Sequence, residues 1–557
     1  YPESNQDKAL LLTDLREALV EDYRTSLFLL MATVGLVLLI ACGNVAGLLL
    51  ARGSTRRTEL SVRAALGASR ARLVRQLLTE SVVTAVAAGI LGTVLAIWFQ
   101  RLILRLLPMD IPGIADTGIS IPMLSFAVVL SLGTGLVFGV FPAFRGAHMN
   151  IVEDLKAGAR TTDTGGARFR SGLVIAQVAL SLVLLIGSGL LIRSFARLRS
   201  VDPGFNTANL LTAEIRLPGT DYDEAPRRIQ FYSSLLENIR AIPGVVSVAA
   251  INQLPIRDPG NNIYVYAADN PPTDRRGLNV AFQRTVFPGY FESMGIPLLA
   301  GRGIEHSDGP DAARVLVINE TMADTLFPGQ NPIGRQVVVD YGEEVTLDVV
   351  GVVGDVRMSG LAWRPRLAMY GSYMQRPYYT MRLAIRTAGE PTSVARALRF
   401  AVRELDRNIP LAELATMDQL LARSTARRRV IAISLTLFAS AALLLATIGL
   451  YGVLAYYVSQ RTHEIGIRVA LGARAAQVVQ LVLTRGVGLV TVGIVLGVAA
   501  AFGVTRFIQR MLFGVEPTDP TTFAAVSLLL ALIALIACLI PAWRALRVDP
   551  LTALQAE

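Results

Sequence analysis

Cysteine, histidine, aromatic side chains and charge are all scarce in this chain of 557 residues. Its two cysteines, Cys42 and Cys538, both lie inside apolar runs, which excludes a disulfide-stapled scaffold. Its three histidines, His148, His306 and His463, stand far apart with no cysteine or carboxylate at metal-ligand spacing. They read as solvated or interfacial side chains, and no metal site is expected. No G-x-x-x-x-G-K-[ST] phosphate loop occurs, so ATP hydrolysis would have to come from another chain. No nucleophile stands beside a base, which leaves no catalytic residue to name and no cofactor held directly. The apolar runs also carry too few acids to build an ion-coupled pathway.

What is abundant is apolar surface. Hydrophobic residues make up 52% of the chain against 17% charged and 7% aromatic, and the mean hydropathy is +0.48, too apolar for a soluble protein of this size. Runs long enough to cross a bilayer of about 30 Å, roughly 20 helical residues each, occur near Ser26 to Ala51, Ser81 to Leu107, Ile121 to Phe144, Gly172 to Leu191, Val430 to Val458, Val487 to Ile508 and Thr521 to Ala542. Between the fourth and fifth, Phe205 to about Met417 has ordinary soluble composition and reads as a folded domain hung from two helices. The net charge of +10 comes from arginines crowded at the ends of the apolar runs, which fits anionic lipid and membrane orientation better than nucleic acid. Arg52, Arg56, Arg57, Arg63, Arg70, Arg72 and Arg75 follow the first span, and Arg145, Lys156, Arg160, Arg168 and Arg170 follow the third. Arg461, Arg468, Arg474, Arg544 and Arg547 fall on the same side if seven spans alternate. That side is therefore cytoplasmic and the large domain is outside. Arg101, Arg105, Arg193, Arg197 and Arg199 run against the rule at outer ends and are expected to snorkel.

The chain repeats itself. "ELSVRAALGASRARLVRQLLTES" from Glu59 returns as "EIGIRVALGARAAQVVQLVLTRG" from Glu464, 405 positions later, and "FPAFRGAHMN" from Phe141 returns as "IPAWRALRVD" from Ile540. Each copy makes about two helical turns, meets a glycine able to end a helix in the left-handed conformation (Gly67, Gly472), and restarts a helix that merges into the next span. In the first copy Leu60, Val62 and Leu66 are expected to face the bundle and Arg63 to point away. The plain alternative is a topology anchor on an amphipathic surface helix. Positive charge on the inner side needs no fixed sequence, however, and here Glu59/Glu464, Arg63/Arg468, Leu66/Leu471, Gly67/Gly472 and Ala68/Ala473 recur in register.

At these residues the chain resembles the MacB/FtsX-type permeases of ABC transporters, whose inner loop reads E-I-G-[IV]-R-x-A-[LV]-G-A; the second copy keeps Gly466, and the first has Ser61 there. The resemblance implies an α-helical membrane protein of about seven spans in two FtsX-like modules, with an α+β extracytoplasmic MacB-like periplasmic core domain. It implies that Glu59, Arg63, Leu66, Gly67, Ala68, Glu464, Gly466, Arg468, Leu471, Gly472 and Ala473 form coupling elements docking on a cytoplasmic ABC ATPase dimer. ATP would act through that partner. It further implies a multi-pass protein of the bacterial inner membrane in contact with lipid, an outer partner as a further expectation, and no nucleic acid. Two halves in one chain resemble the duplicated permeases of acidobacteria. Arg24 aligns with Arg429 at the same offset of 405, so residues 1–25 are expected to be the tail of a preceding outer domain and its stalk helix, with sequence missing before Tyr1. The remaining boundaries read 26–144 for the first module, 145–171 for a cytoplasmic linker, 172–194 for the fourth span, 195–428 for stalk and outer domain, 429–545 for the second module and 546–557 for a cytoplasmic tail. A membrane-anchored sensor or regulator of an extracytoplasmic enzyme would use the same helices, and is the alternative; a secondary transporter lacks the charge pairs it would need.

Within the outer domain, "NLLTAEIRLPGTDY", "PRRIQFYSSLLENIRAIPGV" and "VSVAAINQLPI" read as strand, helix, strand, and the order repeats after Tyr378; the segments between resemble the inserted β-rich part of the MacB-like periplasmic core domain. Gly301, Gly334, Gly351 and Gly354 read as turn residues. "NET" at Asn319 fits a glycosylation sequon, but its place at a strand to helix junction favours an N-cap role for Asn319 or Thr321. Asn44 and Gln177, inside spans, are expected to hydrogen-bond between helices.

Overall fold

The computed structural model describes residues 14–55, 69–106, 120–147, 164–256, 260, 262–274, 277–461, 467, 468, 471 and 474–546. They divide into two compact units, one drawn from the chain up to Ala196 and from Arg428 onward, the other Arg197–Arg427. The first unit opens with four helices, α1 (Leu15–Thr55), α2 (Arg70–Leu106), α3 (Ile121–Ala147) and α4 (Thr164–Arg199).

The second unit begins with β1 (Leu210–Arg216), α5 (Ala225–Arg240) and β2 (Val245–Ile251). The insertion follows as β3 (Asn262–Ala267), β4 (Asn279–Val286), α6 (Tyr290–Met294), β5 (Leu298–Gly301), β6 (Val315–Asn319), α7 (Glu320–Leu326), β7 (Gln336–Asp340), β8 (Glu344–Val353) and β9 (Ala368–Ser372). It closes with β10 (Thr380–Thr387), α8 (Ala395–Leu405) and β11 (Leu411–Thr416). Strands β11, β1, β10 and β2 lie side by side and antiparallel, the order of a split βαβ layer with helices α5 and α8 against each other. The apolar spacing of α5 builds this layer: Phe231, Tyr232, Leu235, Leu236 and Ile239 are buried together with Leu211, Leu383 and Leu398. Each such aliphatic side chain contributes about 1.5–3 kcal/mol by leaving water.

The insertion is a closed ring. Strand β4 pairs β3, β3 pairs β7, β7 pairs β8, β8 pairs β6, β6 pairs β9, and a parallel β4 to β9 ladder from Phe282/Ala368 to Val286/Ser372 completes it. Closure removes the edges that six short strands would otherwise expose. Its core holds Val265, Leu316, Ile318, Val337, Val349 and Met369, capped by Met322 and Leu326 of α7. A single pair, Ile251 with Val286, joins ring and layer through β2 and β4.

Of the four glycines read as turn residues, Gly334 (φ 81°) sits in a turn, whereas Gly301 (φ 71°) is the last residue of β5 and pairs with Gly351 of β8. Gly351 instead lies inside β8, where a Cβ would run into the Arg302 carbonyl, and at Gly354 a Cβ would stand 2.8 Å from Pro297 Cγ. Close approach of β5 and its flanks, not turning, is what these two positions require. Asn319 is the N-cap of α7: its Oδ1 accepts from Met322 N–H at 3.2 Å and from Ala368 N–H at 2.8 Å, and its Nδ2 donates to the Arg366 carbonyl at 2.9 Å. It is fully buried, which rules out its use as a sugar acceptor in the folded domain.

The chain then returns to the first unit with α9 (Met417–Gln460), α10 (Ala475–Ile508) and α11 (Pro520–Leu546). Each of the seven expected spans falls within one of these seven helices, apart from Leu107, which lies outside the described residues. Among the described residues six are long and apolar enough to cross a membrane by length and composition; α3, of 27 residues, has a shorter apolar stretch, Ile121–Leu136. Helices α2 and α3 pack together, as do their counterparts α10 and α11. Small residues let α4 sit close to α10: Gly493 approaches Val178 and Gly497 approaches Ala179 and Leu182.

Candidate coupling site

Most of the expected coupling residues, Glu59, Arg63, Leu66, Gly67, Ala68, Glu464, Gly466, Gly472 and Ala473, lie outside the described residues. The flanks of both copies do not. In the second, Arg468 is exposed, Leu471 is 82% exposed, and Leu471 N–H donates to the Ile467 carbonyl at 2.9 Å, the spacing of a helical turn. Arg474 is extended (φ −68°, ψ 143°) and caps α10, where Gln477 Oε1 accepts the Arg474 N–H at 3.1 Å. In the first copy α2 starts after Ser69, the residue 405 positions before Arg474. The helix thus restarts at the same repeat position twice. Leu60, Val62 and Leu66, expected to face the bundle with Arg63 pointing away, lie outside the described residues; Leu471, the repeat counterpart of Leu66, is exposed.

The inner ends of the helices hold a layer of arginine on tyrosine. The buried Arg170 guanidinium lies 4.0 Å from the centroid of Tyr456, Arg461 lies 4.9 Å from that of Tyr457, and Arg544 Nη1 donates to Tyr451 Oη at 2.6 Å. Sequence reading named the arginines and passed over the tyrosines. Their cluster at the end of "LYGVLAYYVSQR" is the aromatic-belt signal that could have found them.

A polar seam runs between the modules in the membrane. Asn44 Nδ2 of α1 donates to the Leu445 carbonyl of α9 at 2.6 Å, and Gln177 Nε2 of α4 lies 3.5 Å from the Ile40 carbonyl of α1. Higher on α4, Ser181 Oγ donates to the Ala442 carbonyl at 3.0 Å and Ser188 Oγ meets Thr436 Oγ1 at 3.0 Å. The expected interhelical role of Asn44 and Gln177 is what is found. Ser181 and Ser188 were missed, although spacings of four and eleven from Gln177 put them on one helical face.

At the other end of α4, Arg193, an exception to the inner-side rule, is paired with Asp519, which also accepts from Thr522 Oγ1 at 2.6 Å and Thr522 N–H at 3.0 Å at the start of α11. Those threonine bonds first, then the arginine charge, outweigh burial and hold the Asp519 carboxyl down to about 2. Pairing rather than snorkelling accounts for this one outer arginine. No group of three potential metal ligands occurs among the described residues, where His306 is exposed; His148 and His463 lie outside them.

The FtsX-like permease C-terminal family pattern matches the chain twice, at residues 31–151 and 436–550, and the MacB-like periplasmic core domain pattern matches residues 171–403. Among characterised relatives, the pyoverdine export ATP-binding/permease protein PvdT of Pseudomonas syringae pv. syringae is 28% identical over 285 residues, 49% of this chain and 42% of its own. The macrolide export ATP-binding/permease protein MacB of Mannheimia succiniciproducens is 27% identical over 299 residues, 50% of this chain and 44% of its own. The chain spans less than half the length of these relatives. Among solved structures, the periplasmic region of MacB from Actinobacillus actinomycetemcomitans aligns with 40% of this chain and 95% of its own, at 15% identity and a TM-score of 0.27.

Proposed function

From the membership of this chain in the MacB/FtsX-type ABC transporter permeases, as a helical membrane protein with a MacB-like extracytoplasmic core, we propose that it converts ATP hydrolysis by a separate cytoplasmic ATPase dimer into movement of that outer domain. The carrying observation is the paired restart of a helix after Ser69 and Arg474, each preceded by the same Glu, Arg, Leu, Gly, Ala pattern. Two equal handles fit an ATPase dimer that closes symmetrically. Glu59, Arg63, Leu66, Gly67 and Ala68 form one handle; Glu464, Gly466, Arg468, Leu471, Gly472 and Ala473 form the other. The exposed Leu471 and Arg468 supply an apolar and a cationic contact for the partner. Pushing the handles tilts the spans, and the stalk segments near Ala196 to Ser200 and Gln419 to Arg428 pass the tilt outward. No substrate need enter the membrane, and what is exported or extracted outside is left to the outer domain to select. The test is nucleotide turnover in reconstituted vesicles: an ATPase encoded beside this chain should turn over faster when mixed with it. An unchanged rate in a complex that forms would favour the sensor reading instead.

The same proposal places the protein in the bacterial cytoplasmic membrane with the Arg-rich loops inside. A cysteine at the exposed Asp311 should react with an impermeant thiol reagent in intact spheroplasts, and one at the exposed Ser69 only after permeabilisation. Asp308, the neighbouring choice by sequence, is buried and paired and would report on unfolding instead. The opposite labelling pattern would invert the topology and remove the handles from the ATPase side.

A further inference from the structure

The seam between the modules contains two acceptors with nothing to accept from. Asn44 and Gln177 are 7% and 4% exposed, and once their amide nitrogens are committed, Asn44 Oδ1 and Gln177 Oε1 have no donor among the described residues. Both oxygens converge on the same place: a Cβ built on Gly449 would collide with each of them. Gly449 is the repeat counterpart of Asn44, 405 positions on, so one module presents the amide and the other the space it points into. A cavity of about 30 Å³ lies there, lined by Gly43, Gly47, Gly449 and Gly452 and also by Arg170 and Tyr456.

We propose that Asn44 Oδ1 and Gln177 Oε1 together hold an ordered water molecule within the membrane, at the joint between the two modules. Two carbonyl oxygens facing one point repel each other unless a donor stands between them, and each unsatisfied acceptor in a low-dielectric interior is costly. Water brings two donors in the smallest package. The cavity exceeds the about 10–15 Å³ that one ordered water needs. A glycine at 449 is what keeps the position open. Because a water can change partners while a direct amide to amide bond cannot without breaking, the joint lets α1 shift against α9 without stranding a buried polar group. That mechanical consequence rests on the proposed function; the water site itself does not.

The experiment is a density map of the full chain in lipid nanodiscs at a local resolution that shows ordered waters in the outer domain. The expected result is a peak within hydrogen-bonding distance of both oxygens in the unaltered protein, lost in Asn44→Leu and in Gln177→Leu. Absence of the peak where comparable waters are visible, or Asn44 turned so that its Nδ2 donates directly to Gln177 Oε1, would overturn the proposal. So would a peak that persists unchanged in both variants. The readout is independent of ATP turnover, so loss of the transport reading would leave the water site standing, and the reverse.

Discussion

A reconstituted complex carrying Gly472→Val or Glu464→Arg will lose permease-stimulated ATP hydrolysis by roughly 5- to 150-fold, the span of a coupling energy of about 1–3 kcal/mol. If the glycine takes the left-handed conformation expected from the repeat, the valine penalises it by about 1 kcal/mol or more, shortly before the extended Arg474. The charge reversal places the wrong sign at the proposed docking face and leaves the sequence of the spans untouched. Gly67→Val and Glu59→Arg should act in the same direction, since closure transmitted through one handle tilts only half the bundle. The first copy should tolerate change better, because Ser61 already departs from the second copy's Gly466. Correct insertion has to be shown for each variant by the labelling of Asp311→Cys against Ser69→Cys. Full stimulation in single variants of both copies, with correct insertion, would reduce the two stretches to topology anchors.

The second large effect belongs to the outer domain. Asp308→Ala should destabilise it by about 2–4 kcal/mol, read as faster amide hydrogen exchange over Leu298–Asp308 and the paired β8 in the full chain. Asp308 is buried, grips Arg302 with both oxygens at 2.8 Å, and accepts the Glu305 N–H at 2.8 Å. Its backbone carbonyl also accepts Ser372 Oγ at 2.8 Å, so one residue ties β5's exit to β9. Removing the carboxylate strands a half-exposed guanidinium and an inward N–H together. Asp308→Asn keeps an acceptor for Glu305 and should lose less. The pH dependence has a definite sign. Burial alone would raise the Asp308 carboxyl, but the Arg302 and Glu305 bonds outweigh it and the net shift is downward. A carboxyl whose folded value lies below its unfolded value of about 3.9 contributes stability above that pH and loses it as pH falls through the folded value. The advantage of the native residue over Asp308→Asn should therefore fade below about pH 4. Exchange rates equal to wild type in both variants would mean the pair contributes nothing.

Much of this protein is readable without coordinates, and the reason is the bilayer. A membrane core cannot hydrate a backbone, so every apolar run of about 20 residues must become a helix, and the position of each run alone assigned the seven. Repetition did the rest for the modules, because two copies in register show which residues are held beyond composition. The split βαβ layer was legible for a similar local reason: α5 and the strands beside it carry their periodicity in short continuous segments. Four things waited for the tertiary structure. Ring closure by β4 on β9 joins strands more than eighty residues apart, and no local pattern carries that pairing. Gly351 looked like a turn because sequence shows a missing Cβ but not the carbonyl that excludes it. Arg193 looked like an exception to the inner-side rule until Asp519, over three hundred residues away, was found against it. Asn44 and Gln177 were recognisable as polar groups inside spans, yet only the packing of α1, α4 and α9 turned two separate amides into one site, since convergence of side chains from two helices on a third is a property of their crossing and of the glycine at 449 that leaves room between them.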